Sequence, residues 1–488
     1  MITFTQVASN EKIPGYYGEI STVNANQGTF QYPTRILIIG QMLSSGSADE
    51  LTKHIIADVK QAQALFGRGS QMALMCDAVL RNQDTIEVHA IAQEDAEASA
   101  KASGTILVTS AATSSGTLYL YVAGMRLQIG VSATDSAEDI AANIISAVNA
   151  EKDLPVVAAV NGVTSEQVDL TAKNAGLCGN EIKIYANHYT GEVFPDGFAM
   201  AVTQLSGGTA NPDVSDVLDV IEADWFTDIA CPYNDTANLV LLEEELTSRF
   251  SAMGKKDATL SIAHRGTFSE NYTFSNGRNS EFVNNIDVPA DALEPAYVWA
   301  ATVVAWTAFW SNQHPARPYK GLVLSSLKVP KTVRTITERR TLLNNGCSTW
   351  IVNGDGNIAI ERLVTMYQVN DGGIDDETYL DITTVKTFSH IRYDHNAYIS
   401  TLYFGSEGKI LTESEAAAAA SDVLVTPKTI TASSKARAQL WIQQGWVSEI
   451  IDIKAEVDAV DPTRVNMLMS LDITNPLMIL ATKLDMRR

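Results

Sequence analysis

Few residues in this sequence have the types and spacing to do chemistry. Gly67-Arg-Gly69-Ser70 has the glycines and hydroxyl of a phosphate-cradling loop. It lacks the third glycine and the Lys-Thr/Ser that would hold a nucleotide, so a turn at a helix start accounts for it. Asn353-Gly-Asp355-Gly-Asn357 alternates oxygen ligands as a calcium loop does. Ile358 stands where the sharp-turn glycine belongs and Val364 where the bidentate Glu belongs, so a hairpin tip is expected. His390 and Asp394 fall one helical turn apart, with His395 adjacent, a spacing that suits metal chelation or an acid–base pair. No third ligand lies nearby in sequence, and an exposed helix face is the simpler account. Glu243, Glu244 and Glu245 read as a solvated helix face. No Walker loop, GxSxG elbow, HExxH or CxxC pair occurs, and seven His in the chain supply little acid–base machinery. We therefore expect no enzyme, no catalytic residue, no metal and no cofactor. A cytoplasmic α/β enzyme with an unrecognised site is the alternative from another class.

The elements around these residues alternate between strand and helix. Residues 1–34 carry Pro14-Gly15 and Pro33, which rule out a continuous helix and suggest an extended arm, with Tyr16 and Ile20 offering apolar contacts. Ile36–Ile39 is an apolar run ending in Gly40, the pattern of a strand buried on both faces. From about 99 to 210 the text becomes β-rich, with Gly, Asn and Ser turns and one helix whose Ser136 and Asp139 are spaced like a capping box. Helix and strand alternate again over 211–316, ending in the apolar run Ala296–Trp310. Alternation of this kind argues for a mainly parallel sheet covered on both faces. Beyond 317 the reading is α+β: a hairpin around NGDGN, helices near 381–402 and 433–445, and strand-like alternation from 452 to 479. The expected fold class is thus a multidomain α/β and α+β protein. Its divisions are 1–34, 35–98, 99–210, 211–316, 317–460 and 461–488.

Composition bounds the function. The 488 residues suggest roughly three domains and carry a net charge of −22. A surface that acidic repels phosphate backbones, so direct nucleic-acid binding is not expected. Cys76, Cys178, Cys231 and Cys347 are too scattered for a disulfide framework or a zinc site. The 15-residue run Ala296–Trp310 is short of the roughly 20 residues a bilayer requires, so no membrane insertion is expected. With no basic-then-apolar opening, we expect a soluble protein of a reducing cytoplasm. Basic residues nevertheless cluster. Arg317–Trp350 holds seven against Glu338 alone, and Pro427–Gly445 holds Lys428, Lys435 and Arg437 with no acid. Basic islands on an acidic protein can dock acidic partners or another copy of the chain.

Several segments, in order and spacing, carry a resemblance: IPGYYGEI near the start, ALFGRGSQMALM at 64–75, PARPYKGL at 315–322, ERRTLLNNG at 338–346, GNIAIERLVTMYQ at 356–368, TYLDITTVKTFSHIRYDHNAYI at 378–399, VTPKTI at 425–430 and DPTRVNM at 461–467. The chain resembles the contractile tail sheath proteins of Mu-like bacteriophages, loosely over the first 95 residues and closely from about 310 to 488. The resemblance implies a structural subunit, stacked as hexameric rings into a helical sleeve around an inner tail tube. Contraction of that sleeve would drive the tube through the host envelope for genome ejection. Implied partners are the chain itself, the tube protein, and baseplate and tail-terminator proteins, in a tail assembled in the host bacterial cytoplasm. It also implies a sheath core at 35–98 and 211–316, an outward-facing inserted domain, a tube-facing last third, and arms at both ends that add strands to neighbouring subunits. On that basis Lys428, Lys435 and Arg437 are candidate tube contacts. Pro14, Gly15, Tyr16, Ile20, Val465 and Met467 are candidate inter-subunit arm residues. A genome-free, tailocin-like injection particle is the nearest alternative setting.

Overall fold

The computed structural model describes residues 12–13, 15, 28–406 and 408–486. The chain divides into two compact units. The larger comprises the described residues of Pro33–His390 and Asn475–Arg488; the smaller comprises those of Met1–Tyr32 and Ile391–Thr474.

In the larger unit the apolar run forms β1 (Arg35–Gln41), buried throughout after Arg35. It is followed by β2 (Lys53–Ile56), α1 (Val59–Phe66), α2 (Gln71–Asn82) and β3 (Glu87–Gln93). Asp58 and Ser70 cap the two helices by accepting from the backbone N–H groups of Gln61 and Ala73. The Gly-Arg-Gly segment is the joint between them. Gly69 sits at φ +78°, where a Cβ would come within 2.3 Å of the Leu154 carbonyl oxygen, so both backbone angle and space require glycine.

After β3 the chain builds a separate core. Strands β4 (Ser103–Ser110), β5 (Gly116–Val122) and β6 (Met125–Val131) precede α3 (Ala137–Ala150); β7 (Val156–Val160), β8 (Gln167–Ala172), β9 (Ile184–Ala186) and β10 (Ala199–Ser206) follow it. They form two antiparallel sheets, β10-β4-β8-β7 and β6-β5-β9. Ser136 and Asp139 do make a capping box at the start of α3, whose Ile140, Ile144 and Val148 are buried among the strands.

The first sheet then resumes through α4 (Ser215–Val220), β11 (Asp228–Ala230), α5 (Thr236–Phe250), β12 (Thr259–Gly266), α6 (Phe268–Asn276), β13 (Val283–Pro289), α7 (Ala296–Gln313), α8 (Ile336–Leu343), β14 (Cys347–Val352) and β15 (Ile358–Arg362). Eight strands lie in the order β15-β14-β13-β12-β11-β1-β3-β2, parallel except for the two edge strands β15 and β2. The fold is therefore mixed α/β around one dominant sheet. Both faces are covered. Asp228, level with Thr259 of β12, meets the helix α9 (Ile382–Tyr403), whereas Asn285, level with Ile262, meets Ser275 of α6. Those two β12 positions are three residues apart and so point to opposite faces. The apolar run forms α7, buried on every side from Ala296 to Ala305 and half-buried at Trp306, Phe309 and Trp310; no helix of the described residues is long and apolar enough to cross a membrane.

One division differs from the sequence reading. The hairpin expected to open a C-terminal domain at 317 extends the main sheet instead, β14 pairing parallel with β13 through Asn285 and Cys347. The compact units part after His390. Local alternation marks a hairpin but not the strand it will join, so spacing alone does not show that this hairpin extends the main sheet.

The smaller unit takes α9 from Ile391 onward, then β16 (Ile410–Leu411), α10 (Glu415–Ala420), β17 (Leu424–Val425), α11 (Pro427–Gln443), β18 (Val447–Val457) and β19 (Val465–Ile473). β16 and β17 pair parallel, and β18 and β19 form an antiparallel hairpin. Its core is small: Ile391, Ala438, Trp441, Trp446, Val447 and Ile453.

Candidate functional site

α11 begins earlier than its apolar spacing suggests. Thr426 caps it by accepting from the Thr429 N–H, and Pro427 occupies the first turn, where its missing N–H costs nothing. Lys428 and Lys435, two turns apart, share one exposed face of the helix. Arg437 does not join them. It is 2% exposed, and its guanidinium binds the buried carboxylate of Asp394 on α9, with Nε 2.7 Å from Oδ2. A charge so paired and desolvated offers nothing to a surface partner, which removes Arg437 from the candidate contacts. Asp394 was expected on an exposed helix face; it is instead fully buried and also accepts from Trp441 Nε1 at 2.6 Å. His395 approaches Ser434 Oγ at 3.1 Å and stands edge-on to Trp441.

His390 is likewise buried, in the larger unit, with Nδ1 2.8 Å from the Lys386 carbonyl. Burial pushes its pKa from 6.5 down to about 3. Between those values the unfolded chain binds a proton that the folded chain excludes, so stability is lost as pH falls from 6.5 toward 3. We expect chemical-denaturation midpoints to drop across that window and the dependence to flatten in His390→Gln; equal slopes in both proteins would contradict this.

Other charged groups singled out by the sequence have structural partners. Glu243 pairs with Arg278 and Glu245 with Arg249, leaving only Glu244 of the triple fully exposed. Within the basic stretch after 317, Arg334 is buried against Asp287, Arg339 pairs with Glu361 and Lys328 with Glu294. Much of that island is thus neutralised internally, whereas the two α11 lysines have no acid within salt-bridge distance among the described residues.

The hairpin departs from the expected C-terminal arm. Val465 and Met467 are not in a free segment: they pair with Val457 and Ala455 of the same chain. Asp461-Pro462 lies in the turn, where Asp458 accepts from the backbone N–H groups of Val460 and Asp461. No third strand joins the hairpin among the described residues, and Ile451 and Leu468 on it are 67% and 50% exposed. One face of the hairpin packs on α11, burying Val447 and Ile453. The segment 474–486 has no regular secondary structure. Along it Leu477, Ile479, Leu480, Leu484 and Met486 are each at least 76% exposed. Of the expected N-terminal arm residues, Gly15 is exposed; Pro14, Tyr16 and Ile20 lie outside the described residues.

These features are open strand edges, an uncovered apolar terminus and a basic helix face, and they suit assembly rather than catalysis. Residues 207–366 match the family model of the phage tail sheath protein central domain. Over 98% of its length the chain is 32% identical to a Mu-like prophage FluMu tail sheath protein of Haemophilus influenzae, 98% of which is covered. Among solved structures it is similar to a sheath tail protein of Desulfitobacterium hafniense, with TM-score 0.48, 11% identity, and coverage of 94% of this chain and 100% of that one. The contracted helical sheath of the anti-feeding prophage gives TM-score 0.44 at 9% identity, over 98% of this chain and 99% of that one.

Proposed function

This chain belongs to the phage tail sheath family, structural proteins rather than enzymes, and from that premise we propose that its copies stack as hexameric rings into a contractile sleeve around an inner tube. Contraction of the sleeve drives the tube through the host envelope and ejects the genome; baseplate and terminator proteins bound its two ends, and assembly takes place in the host bacterial cytoplasm. The observation that carries this reading is the pairing of donor and acceptor features in one chain. Five apolar side chains of the segment 474–486 are at least 76% exposed, and the β18–β19 hairpin has no third strand among the described residues. A neighbour's terminal segment laid along a hairpin edge satisfies both by main-chain hydrogen bonds. Such links tolerate rotation of the bodies they join. No nucleotide site is required, because the work comes from the free-energy difference between two packings of many copies.

Negative-stain microscopy of the purified chain tests the reading directly. Hollow striated cylinders support it; smooth narrow tubes or permanently monomeric protein overturn it.

Lys428 and Lys435 are the remaining tube-contact candidates. In a chain of net charge −22, two lysines on one acid-free helix face suit an acidic surface. Lys428→Glu with Lys435→Glu should leave the monomer folded, since both side chains are exposed, and should cut sleeve formation on tubes at least tenfold. Wild-type tube binding by the reversed protein would remove the assignment.

A further inference from the structure

Asp394 gathers more donors than its own helix pair requires. Its carboxylate, fully buried, accepts from Arg437 through both Nε and Nη2 and from Trp441 Nε1, all on α11. These contacts alone would join α9 to α11. A further donor comes from far away in sequence: the backbone N–H of Phe30, 2.7 Å from Oδ1. The Phe30 ring lies 5.0 Å from the Arg437 guanidinium carbon, and Tyr398 of α9 lies 4.9 Å from the same carbon, so one cation contacts both rings. Two residues on, Tyr32 is 6% exposed and meets Tyr393 edge-on at 5.5 Å.

We infer that Asp394 is the anchor at which the N-terminal segment is fixed to the α9–α11 pair, so that a strand-donating N-terminal arm starts from a set origin on the smaller unit. The role in strand donation rests on the sheath reading above; the anchoring does not. A backbone N–H bond fixes the path of the chain whatever side chain follows it, and charge on the acceptor makes that bond strong. Residues 28–32 are therefore tied to the same unit that carries the hairpin and the basic helix face, although β1, in the larger unit, begins only at Arg35. Pull on the arm would be delivered to α9 and α11 through this carboxylate together with the Phe30–Arg437 and Tyr32–Tyr393 contacts.

The test uses the full chain and two variants that leave the Asp394–Arg437–Trp441 contacts in place. Phe30→Ala removes the ring, and Phe30→Pro removes the ring and the N–H. Hydrogen exchange read by mass spectrometry on the peptide covering residues 28–34 should quicken roughly tenfold in Phe30→Pro, as losing a charge-assisted bond implies, and less in Phe30→Ala. Exchange in α9 and α11 should be unchanged. Equal exchange at 28–34 in wild type and Phe30→Pro overturns the anchor. Sleeve counts by microscopy give the second readout, with fewer and irregular sleeves expected from Phe30→Pro. Faster exchange with wild-type sleeves overturns the role in strand donation and leaves the sheath reading standing. Absence of sleeves from the wild-type chain overturns the sheath reading, while the exchange data still decide the anchor.

Discussion

A chain ending at Thr474 should fold as the full protein does and build no sleeves. Residues 475–486, which it lacks, have no regular secondary structure, and Leu477, Ile479, Leu480, Leu484 and Met486 among them are at least 76% exposed, so removing them takes little from the fold of one copy. In an assembly the same side chains are the obvious surface to bury. Covering only two of them against a neighbour is worth about 3 kcal/mol, which is more than a hundredfold in the equilibrium of each contact. A sleeve multiplies that loss over every copy. Sedimentation and negative-stain microscopy of the truncated chain, beside thermal unfolding, separate the two effects. A truncated chain that polymerises at the full-length concentration would show that this segment is not the link, and a collapse in unfolding temperature would show that it serves the single copy instead. Ile479→Asp with Leu480→Asp should reproduce the truncation without shortening the chain.

What the sequence disclosed about this arrangement followed the reach of each signal. Strand β1 is legible because the run from Ile36 to Ile39 is short, mostly β-branched and closed by Gly40, which favours a strand covered on both sides over a buried helix. The capping box of α3 was legible because Ser136 and Asp139 are three residues apart and satisfy each other locally. The start of α11 is marked only by Thr426-Pro427, a helix-entry pair: the first turns, Lys428 to Ser434, carry a single large apolar residue, so the helical period shows only further along. Other features depend on partners that spacing cannot supply. Nothing local to Asp394 shows that Arg437, 43 positions away, will bury it, or that Phe30 will cross 364 positions to meet it. Val465 and Met467 alternate as strand residues do in either a free arm or a hairpin, and only pairing with Val457 and Ala455 decides between them. The candidate site was thus readable as a set of segments but not as a set of contacts.

The largest single-residue loss of stability should come from Asp228→Ala. Asp228 is fully buried on β11 and accepts from Lys386 Nζ of α9 at 2.8 Å and from Thr227 Oγ1 at 2.9 Å. Lys386 is 2% exposed; its ammonium also donates to the Thr227 carbonyl at 3.0 Å, and burial pushes its pKa below the ordinary lysine value while Asp228 pulls it back up. Without Asp228 that ammonium is left buried beside a lone carbonyl. It must either lose its proton or drag water into the face of the main sheet. Removing one partner of a buried pair costs about 3–5 kcal/mol, a large fraction of the 5–15 kcal/mol that holds a typical domain together. The pair itself need not be net stabilising, because desolvating two charges offsets most of their attraction. The combination Asp228→Val with Lys386→Met, which removes both charges and keeps apolar volume, should therefore recover to within about 2 kcal/mol of the wild type. Urea unfolding, with hydrogen exchange followed on the β11 peptide, measures both. If the double variant were as unstable as Asp228→Ala, the cost would lie in lost packing rather than in a stranded charge. The start of α9 would then be held to the sheet by shape alone.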